Sequence, residues 1–555
     1  MKEITIRDWQ EFFPFKSVRS EQEKAINFIL NSFINERKRY VILQAGTGVG
    51  KSIIGVTVAR YLNSNGGKTY DDKGEETTGS YVLTTQKLLQ QQYMDDFGPT
   101  SGRNMMRSLK SSSNYKCRFY TDQSCAESRR LLKQLGDQVN GTEFHKCCKG
   151  NCPYVIDKQE FIEFPLGITN FSYFLAETMY AGQLGPRALL VIDEAHNIEN
   201  ELSRFIEVTF SERFARTVLG CRVPKLDSDA ATFAWIKGAY RKNLLKHISD
   251  VKSKLDSCFN TDDSTGLVEH SKRHEMLDKH ICKVNRFIES YNPDNWIMNY
   301  IKSTQKDKKS NRKFEFKPVD VSSFGYDHLY ELGSRILMMS ATIVDKDTFC
   351  KSVGVPLNEV SFLDIPSPFP KENRPIHYLG VGSMSMRCID QTLPNIVSTI
   401  KDLLELHVKE KGIIHCVSYK IAQYIIDNVG SKRLLLHNSD NRDETIQFHK
   451  DSVEPTVLVS PSMTEGVDLA DDVSRFQILC KVPYPYLGDK VIQLRKAKNQ
   501  QWYACQTART VIQALGRSVR NSKDHAVSYI LDADWTRFYR ENASMFPEEF
   551  SSALT

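Results

Sequence analysis

The sequence has no stretch of about eighteen consecutive apolar residues, and its first residues, MKEITIRDWQEFF, have no basic-then-apolar signal pattern. From these two absences we expect a protein without a membrane span that works inside the cell, in the cytoplasm. The sequence also lacks a strong excess of either charge, because its net charge of +6 permits a nucleic-acid partner without arguing for one. A chain of 555 residues exceeds one hydrophobic core, which predicts about three or four domains or insertions.

The sequence lacks the first glycine of the usual phosphate-binding loop, because Ala45 stands at that place in QAGTGVGKS. The apolar run YVIL precedes this loop and IIGVTVA follows it, which predicts a strand, a turn and a helix. Glycines let backbone N–H groups approach an anionic phosphate chain at a helix N-terminus. We predict an ATP site in which Lys51 contacts the β- and γ-phosphates and Ser52 holds Mg²⁺. The other residues of the predicted cradle are Ala45, Gly46, Thr47, Gly48 and Gly50.

Upstream of this loop, Gln22 precedes the helical pattern KAINFIL. A glutamine amide offers both a donor and acceptors, which suits the edge of adenine. Gln22 is therefore a candidate base reader. The alternative is an exposed residue on a helix surface.

A second pattern typical of ATPases is ALLVIDEAHN, residues 188–197. An apolar run of strand length ends in two adjacent carboxylates, which ATP hydrolysis requires. We predict that Asp193 holds Mg²⁺ and that Glu194 orients and deprotonates the attacking water. His196 could carry a hydrogen bond from the nucleotide towards a second ligand, or it could simply be a packed histidine.

The C-terminal part has no second phosphate-binding loop, although it repeats an alternation of strands and helices typical of a parallel sheet. Its predicted strands span 376–379, 412–418, 456–460, 476–480 and 527–531. In QALGRSVR, Arg517 and Arg520 are three residues apart, which predicts one helical face whose guanidinium groups meet a γ-phosphate across a cleft. Another cleft-facing loop is predicted at Glu465, Gly466 and Asp468.

Two further segments interrupt the first strand–helix series. Five of the thirteen cysteines fall between residues 117 and 152, and their spacing lacks the paired C-x₂-C knuckles typical of zinc sites. From residue 201 to about 313 the pattern is helical and charged, with no convincing strand, and it ends in the basic run KSTQKDKKSNRKFEFK. Such a run is typical of a solvated loop, with a phosphate contact as the alternative.

Taken in order, these motifs resemble the superfamily 2 helicases of the XPD/DinG family. The resemblance rests on QAGTGVGKS, SNYKC, CPY, DEAHN, SATI, the SPF segment with NRP, TEGVDL and QALGRSVR, which includes Gln513. It implies an α/β fold with two RecA-like parallel-sheet motor domains, the first interrupted by an iron–sulfur insertion and by a helical arch. It also implies ATP-driven 5′ to 3′ movement on single-stranded DNA.

The resemblance assigns the clustered cysteines to a [4Fe-4S] cluster, which needs four thiolates. Cys117 follows SNY and Cys152 precedes PY, as in the family, and Cys125 is the second ligand in chain order. The third is Cys148 or Cys147, and we choose Cys148, with His145 as a spare candidate. Zinc is the rival metal.

The resemblance divides the chain into residues 1–105 (first motor domain, with the phosphate-binding loop), 106–160 (iron–sulfur insertion), 161–205 (first motor domain, with the DEAH sequence), 206–315 (helical arch), 316–345 (end of the first motor domain) and 346–555 (second motor domain). We expect an ATP-dependent DNA helicase that acts as a monomer on single-stranded DNA and on 5′-tailed or forked duplexes, in repair, recombination or replication. The alternatives are an ATP-gated clamp or adaptor that binds nucleic acid without unwinding it, and a redox-responsive regulator. The compact length resembles bacterial or phage members of the family.

Overall fold

Two parallel β-sheets organise the chain. The computed structural model describes residues 8–98, 105–135, 139–180, 182, 184–225, 228–261, 263–301, 312–438, 441–461, 469, 471–516, 518–521 and 523–555. The strands are β1 Tyr40–Ala45, β2 Thr69–Tyr70, β3 Glu76–Thr77, β4 Ser80–Thr84, β5 Met106–Leu109, β6 Leu166–Asn170, β7 Arg187–Asp193, β8 Val208–Ser211, β9 Trp296–Ile301, β10 Lys313–Pro318, β11 Gly333–Ser340, β12 Val360–Ile365, β13 Ile376–Gly382, β14 Gly412–His415, β15 Leu434–Leu436, β16 Val457–Ser460, β17 Phe476–Leu479 and β18 Val527–Asp532.

Helices connect these strands and cover both sheets. They are α1 Ser20–Ile34, α2 Lys51–Asn65, α3 Lys87–Phe97, α4 Cys125–Leu135, α5 Glu143–Gly150, α6 Pro153–Glu163, α7 Phe171–Tyr180, α8 Ile198–Ile206, α9 Asp229–Trp235, α10 Arg241–Asn260, α11 Ser264–Ser290, α12 Gly325–His328, α13 Lys346–Val353, α14 Ile389–Leu406, α15 Tyr419–Val429, α16 Arg442–Asp451, α17 Lys490–Lys498, α18 Gln500–Leu515, α19 Asp534–Asn542 and α20 Glu548–Ser551. Among the described residues, no helix is both long and apolar enough to cross a membrane.

The first sheet has seven parallel strands in the order β12-β1-β11-β7-β4-β6-β5. Its central strands β1 and β7 are buried along their whole length, because their apolar residues are covered on both faces by helices. β11 lies between β1 and β7, so the carboxyl ends of these three strands meet at one edge of the sheet. β12 pairs with β1, which adds residues Val360–Ile365 to this sheet although the sequence assigns 346–555 to the second domain.

The second sheet has six parallel strands in the order β13-β18-β17-β14-β16-β15. All five strands predicted for the C-terminal part lie in it, and the predicted α/β class with two parallel-sheet domains is confirmed. The additional strand is β15, whose three leucines are too short a run for a sequence pattern to separate from a loop.

The segment predicted as purely helical also contains strands. Besides α9, α10 and α11 it carries a three-stranded antiparallel sheet in the order β8-β10-β9, so the expectation of no strand there is wrong. β10 has the alternating pattern of a half-buried strand, with Phe314 and Phe316 buried. The adjoining basic run hid that pattern. β8 is only four residues long and gains its partner from a segment about a hundred residues later, which no local pattern reveals.

Candidate active site

The turn between β1 and α2 has the geometry of a phosphate-binding loop. Gly48 and Gly50 have φ angles of 91° and 90°, in the left-handed region that favours glycine. Lys51 opens α2 and its Nζ lies 3.4 Å from the carbonyl oxygen of Ala45. The sequence therefore places Ala45, Gly46, Thr47, Gly48, Gly50, Lys51 and Ser52 on one turn at a helix N-terminus, as predicted from the motif.

Side chains from outside the loop hold its carbonyl groups. Arg19 Nη1 donates to the Gly48 carbonyl at 2.6 Å, and Gln22 Nε2 donates to the Val49 carbonyl at 3.0 Å. Gln22 is buried, and its Oε1 accepts a hydrogen bond from the Arg19 backbone N–H. Gln22 is thus not an exposed helix residue. It fixes the loop, and its contact with adenine stays a prediction.

The two adjacent carboxylates stand at the end of β7, on the same sheet edge as the loop. Asp193 Oδ2 accepts a hydrogen bond from the Tyr93 hydroxyl at 2.8 Å. Burial, and then the charge of Glu194, raise the pKa of Asp193 to about 6. Burial works to raise the pKa of Glu194 as well, but the hydrogen bond to His196 and the charge of Lys51 outweigh it and lower that pKa to about 2. Both carboxyl groups are therefore mainly ionised at neutral pH, the state that their predicted roles require.

A chain of polar contacts runs from Glu194 to the opposite domain. His196 Nδ1 lies 3.3 Å from Glu194 Oε2 and 2.9 Å from Ser340 Oγ, at the end of β11. Gln513 of α18 places its Nε2 2.8 Å from His196 Nε2 and 3.1 Å from Thr342 Oγ1. Gln513 thus touches two first-domain side chains, and one of them touches Glu194.

Arg520 does not lie on a helical face as predicted. α18 ends at Leu515, and Gly516 caps it, because glycine readily ends a helix. Arg520 therefore lies in the loop that follows, where its backbone N–H donates to Asp524 Oδ2 at 3.1 Å. Arg520 still lines the cleft, and its charge helps to lower the pKa of Glu194. Arg517, Glu465, Gly466 and Asp468 lie outside the described residues, so their roles stay predictions.

A cleft of about 940 Å³ separates the two domains and contains these groups. Its walls also carry Ser367, Arg374 and Glu549, which sequence reasoning did not select as site residues. The SPF and NRP motifs signal the first two, because they stand out as proline-punctuated turns between the two sheets. Nothing in the local sequence marks Glu549, which reaches the cleft only through the docking of α20.

Two of the clustered cysteines meet where α4 and α6 begin. Cys125 Sγ and Cys152 Sγ are 3.3 Å apart. Cys148 is buried whereas Cys147 is half-buried, and burial followed by the charges of Cys152 and Cys117 raises the pKa of Cys148 to about 12. Cys148 is thus the more buried of the two adjacent cysteines, and its choice over Cys147 stays a prediction.

No group of three or more His, Cys, Asp or Glu side chains lies close enough to hold a metal ion within the part of the chain that the structure describes. The predicted cluster is therefore not demonstrated. The donor set fits it chemically, since Cys117, Cys125, Cys148 and Cys152 are all buried thiols within one short part of the chain.

Two family models match separate parts of the chain. The model described as the res subunit of type III restriction enzymes matches residues 15–219, and a helicase C-terminal domain matches residues 401–553. A solved XPD helicase superposes with a TM-score of 0.62 at 16% identity, covering 96% of this chain and 98% of that one. This likeness shows the fold, which is that of two RecA-like domains.

Curated relatives point the same way. A probable ATP-dependent helicase of Methanocaldococcus jannaschii is 20% identical over 96% of this chain and 94% of its own length. A regulator of telomere elongation helicase 1 homolog of Caenorhabditis elegans is 29% identical over 109 residues, which are 17% of this chain and 11% of the relative. The chain thus spans about a tenth of the length of that relative. The resemblance to XPD/DinG-like helicases is confirmed.

Proposed function

Because this chain resembles the XPD/DinG-like helicases in fold and in sequence, we propose that it is an ATP-dependent DNA helicase. It moves 5′ to 3′ on single-stranded DNA and separates the strands of 5′-tailed or forked duplexes, as a monomer, in DNA repair, recombination or replication. The observation that carries this proposal is the cleft itself. It sets the phosphate-binding loop and Glu194 opposite Gln513 and Arg520 of the other domain. Such a site links hydrolysis to the relative position of two domains.

In the proposed mechanism the first domain binds MgATP and the second responds to it. Lys51 neutralises the β- and γ-phosphates, while the Ser52 hydroxyl and Asp193 hold Mg²⁺. Glu194 orients the attacking water and accepts its proton, and Arg520 stabilises the charge that develops on the γ-phosphate, with Arg517 beside it.

Loss of the γ-phosphate removes the contact of Arg520, so the closed arrangement of the two domains becomes less populated until ATP binds again. The DNA strand is held through backbone phosphates without reading its sequence, which suits a motor that must pass over any base. Repetition of this cycle advances the protein along one strand. We keep the six segments assigned from the sequence as part of this proposal, except that β12 belongs to the first motor domain. The proposal also places the protein in the cytoplasm.

Strand release from tailed duplexes tests the function. With ATP and Mg²⁺, the protein should release the labelled strand of a 5′-tailed duplex and leave a 3′-tailed duplex intact. Lys51→Ala should abolish release. Lys24→Ala, an exposed lysine of α1, should not affect it. ATP-dependent binding of both substrates with no strand release would support the clamp instead and contradict a helicase.

We also propose that Cys117, Cys125, Cys148 and Cys152 hold a [4Fe-4S] cluster. Such a cluster would act structurally, tying together three short helices and the segment before them. Iron and acid-labile sulfide should be present in the purified protein at about four atoms each per chain. Cys117→Ser should lose the iron and the unwinding activity, whereas Cys147→Ser should keep both. Zinc in place of iron, or iron retained in Cys117→Ser, would contradict the assignment.

A further inference from the structure

A short segment between the two sheets lies directly on the phosphate-binding loop. We call residues 366–375, between β12 and β13, the hinge segment. Ser367 Oγ donates to the Thr47 carbonyl at 2.7 Å. A Cβ at Gly48 would lie 2.1 Å from Cζ of Phe369, so the ring of Phe369 packs on the glycine itself. The hinge segment therefore contacts the same turn that Lys51 and Ser52 complete.

Arg374 of the hinge segment carries donors that the protein does not use. Its Nη2 donates to the Phe369 carbonyl at 3.0 Å. Its Nε is buried and has no hydrogen-bond partner among the described residues. Buried polar atoms are nearly always paired, so an unpaired guanidinium donor in a cleft indicates a missing ligand. Arg374 bonds Phe369, Phe369 packs on Gly48, and Arg374 lines the same cleft as the phosphate-binding loop, which points to a ligand in that cleft.

The charge of Glu549 acts on Arg374 in the absence of a ligand. Its Oε1 accepts a hydrogen bond from the Ser367 backbone N–H at 3.3 Å and would lie 2.8 Å from a Cβ at Gly46. Burial lowers the pKa of Arg374, and the charge of Glu549 opposes that change. Burial also raises the pKa of Glu549, so a carboxylate at this position is held at some cost.

The backbone keeps these two side chains on one edge of the second sheet. Ile376, the first residue of β13, donates its N–H to the Ala553 carbonyl at 2.8 Å. Its own carbonyl accepts from the Thr555 N–H, also at 2.8 Å. The residues after α20 therefore run along the start of β13, and both Arg374 and Glu549 line the cleft.

We propose that Arg374 contacts the phosphate chain of the bound nucleotide and that Glu549 is its counter-charge when the site is empty. This inference rests on the proposed ATP site. A guanidinium group suits phosphate oxygens in charge and in geometry, and the loop beneath it is the phosphate cradle. MgATP then replaces the carboxylate as the partner of Arg374. Because Arg374 sits in the hinge segment, this exchange acts on the connection between the two motor domains.

Equilibrium binding of a fluorescent ATP analogue tests the exchange. Arg374→Gln should raise Kd about tenfold or more, since a charge-assisted hydrogen bond is lost. Arg374→Lys should recover part of this loss. Glu549→Gln should lower Kd a few-fold, and this gain should disappear when Arg374→Gln is also present. Lys371→Gln, an exposed change in the same segment, is the matched control and should leave Kd unchanged.

Unchanged affinity in Arg374→Gln would overturn the inference, and so would weaker binding by Glu549→Gln, which would make Glu549 a ligand contact. The melting temperature of each variant shows whether it folds. If Arg374→Gln does not fold, the change in Kd caused by Glu549→Gln still tests the inference. A lower Kd supports it and a higher Kd contradicts it. Failure of the proposed function is distinguishable, because the wild-type protein would then not bind the analogue, or Lys51→Ala would bind it equally well.

Discussion

Gln513→Ala should destabilise the closed arrangement of the two motor domains. The free-energy cost can be worked out from the contacts that Gln513 makes. Its amide lies 2.8 Å from His196 Nε2 and 3.1 Å from Thr342 Oγ1, and both partners are buried. Removing one partner of a buried polar group costs about 1–3 kcal/mol. Gln513 itself is only half-buried, so water can replace part of its contact. We therefore expect each of the two hydrogen bonds to cost about 1 kcal/mol, the lower limit of that range, which gives about 2 kcal/mol in total.

A cost of about 2 kcal/mol corresponds to about a 30-fold lower population of the closed arrangement. Steady-state ATP hydrolysis in the presence of single-stranded DNA is the assay. We expect kcat to fall about 30-fold. KM for ATP should change little, because Gln513 makes no contact with the phosphate-binding loop. Unwinding of a 5′-tailed duplex should fall in parallel with kcat.

Gln447→Ala provides the matched control. Gln447 lies in α16 of the second domain and bonds only Asp451, one turn along the same helix. Its truncation should leave kcat and unwinding at wild-type values. The reasoning fails if Gln513→Ala hydrolyses ATP with a wild-type kcat, or if its only defect is a raised KM.

Three further predictions concern stability. Burial lowers the pKa of His449 from 6.5 to about 4, so the folded state resists protonation of this side chain. The free energy of unfolding should therefore fall by about 1.4 kcal/mol per pH unit as the pH falls from 6.5 to 4. Urea unfolding of His449→Gln should show a weaker pH dependence, and a slope identical to that of the wild-type protein would contradict this. Gly48→Ala should lower the melting temperature more than Gly67→Ala, because both have positive φ but only Gly48 lacks space for a Cβ; equal shifts would contradict the packing argument. Lys158→Met should lower the free energy of unfolding by about 3–5 kcal/mol, because it removes the cationic partner of the buried Glu177 carboxylate. Adding Glu177→Leu should recover most of this loss in denaturant unfolding, and no recovery would contradict the prediction.

The parts of the site that the sequence predicts are those whose pattern is local. The phosphate-binding loop follows one buried strand and opens one helix, so six or seven adjacent residues determine its shape. Asp193 and Glu194 end another buried strand in the same way. The carboxyl ends of parallel strands lie at one edge of a sheet. Once these two strands are predicted, the phosphate-binding loop and the two carboxylates are therefore expected at the same edge.

The parts that the sequence does not predict depend on distant pairing. Arg374 and Glu549 are 175 residues apart and line one cleft because the C-terminal residues run along β13. The sheet of β8, β10 and β9 likewise forms between segments separated by three helices. Helical periodicity also misplaced Arg520, since the pattern QALGRSVR continues past the glycine at which α18 ends.

The position of β11 explains how one contact can affect the whole site. β11 lies between β1, which carries the phosphate-binding loop, and β7, which carries the two carboxylates. Thr342, just beyond β11, receives contacts from two second-domain residues, the Gln513 amide and Arg509 Nε, which donates to its carbonyl at 3.1 Å. Neither contact involves the nucleotide, so the protein alone can hold the domains together. ATP can change this equilibrium only through different affinities for the two arrangements. In the proposed mechanism, Arg374 and Arg520 supply that difference, because their phosphate contacts form only when the second domain closes on the loop after β1.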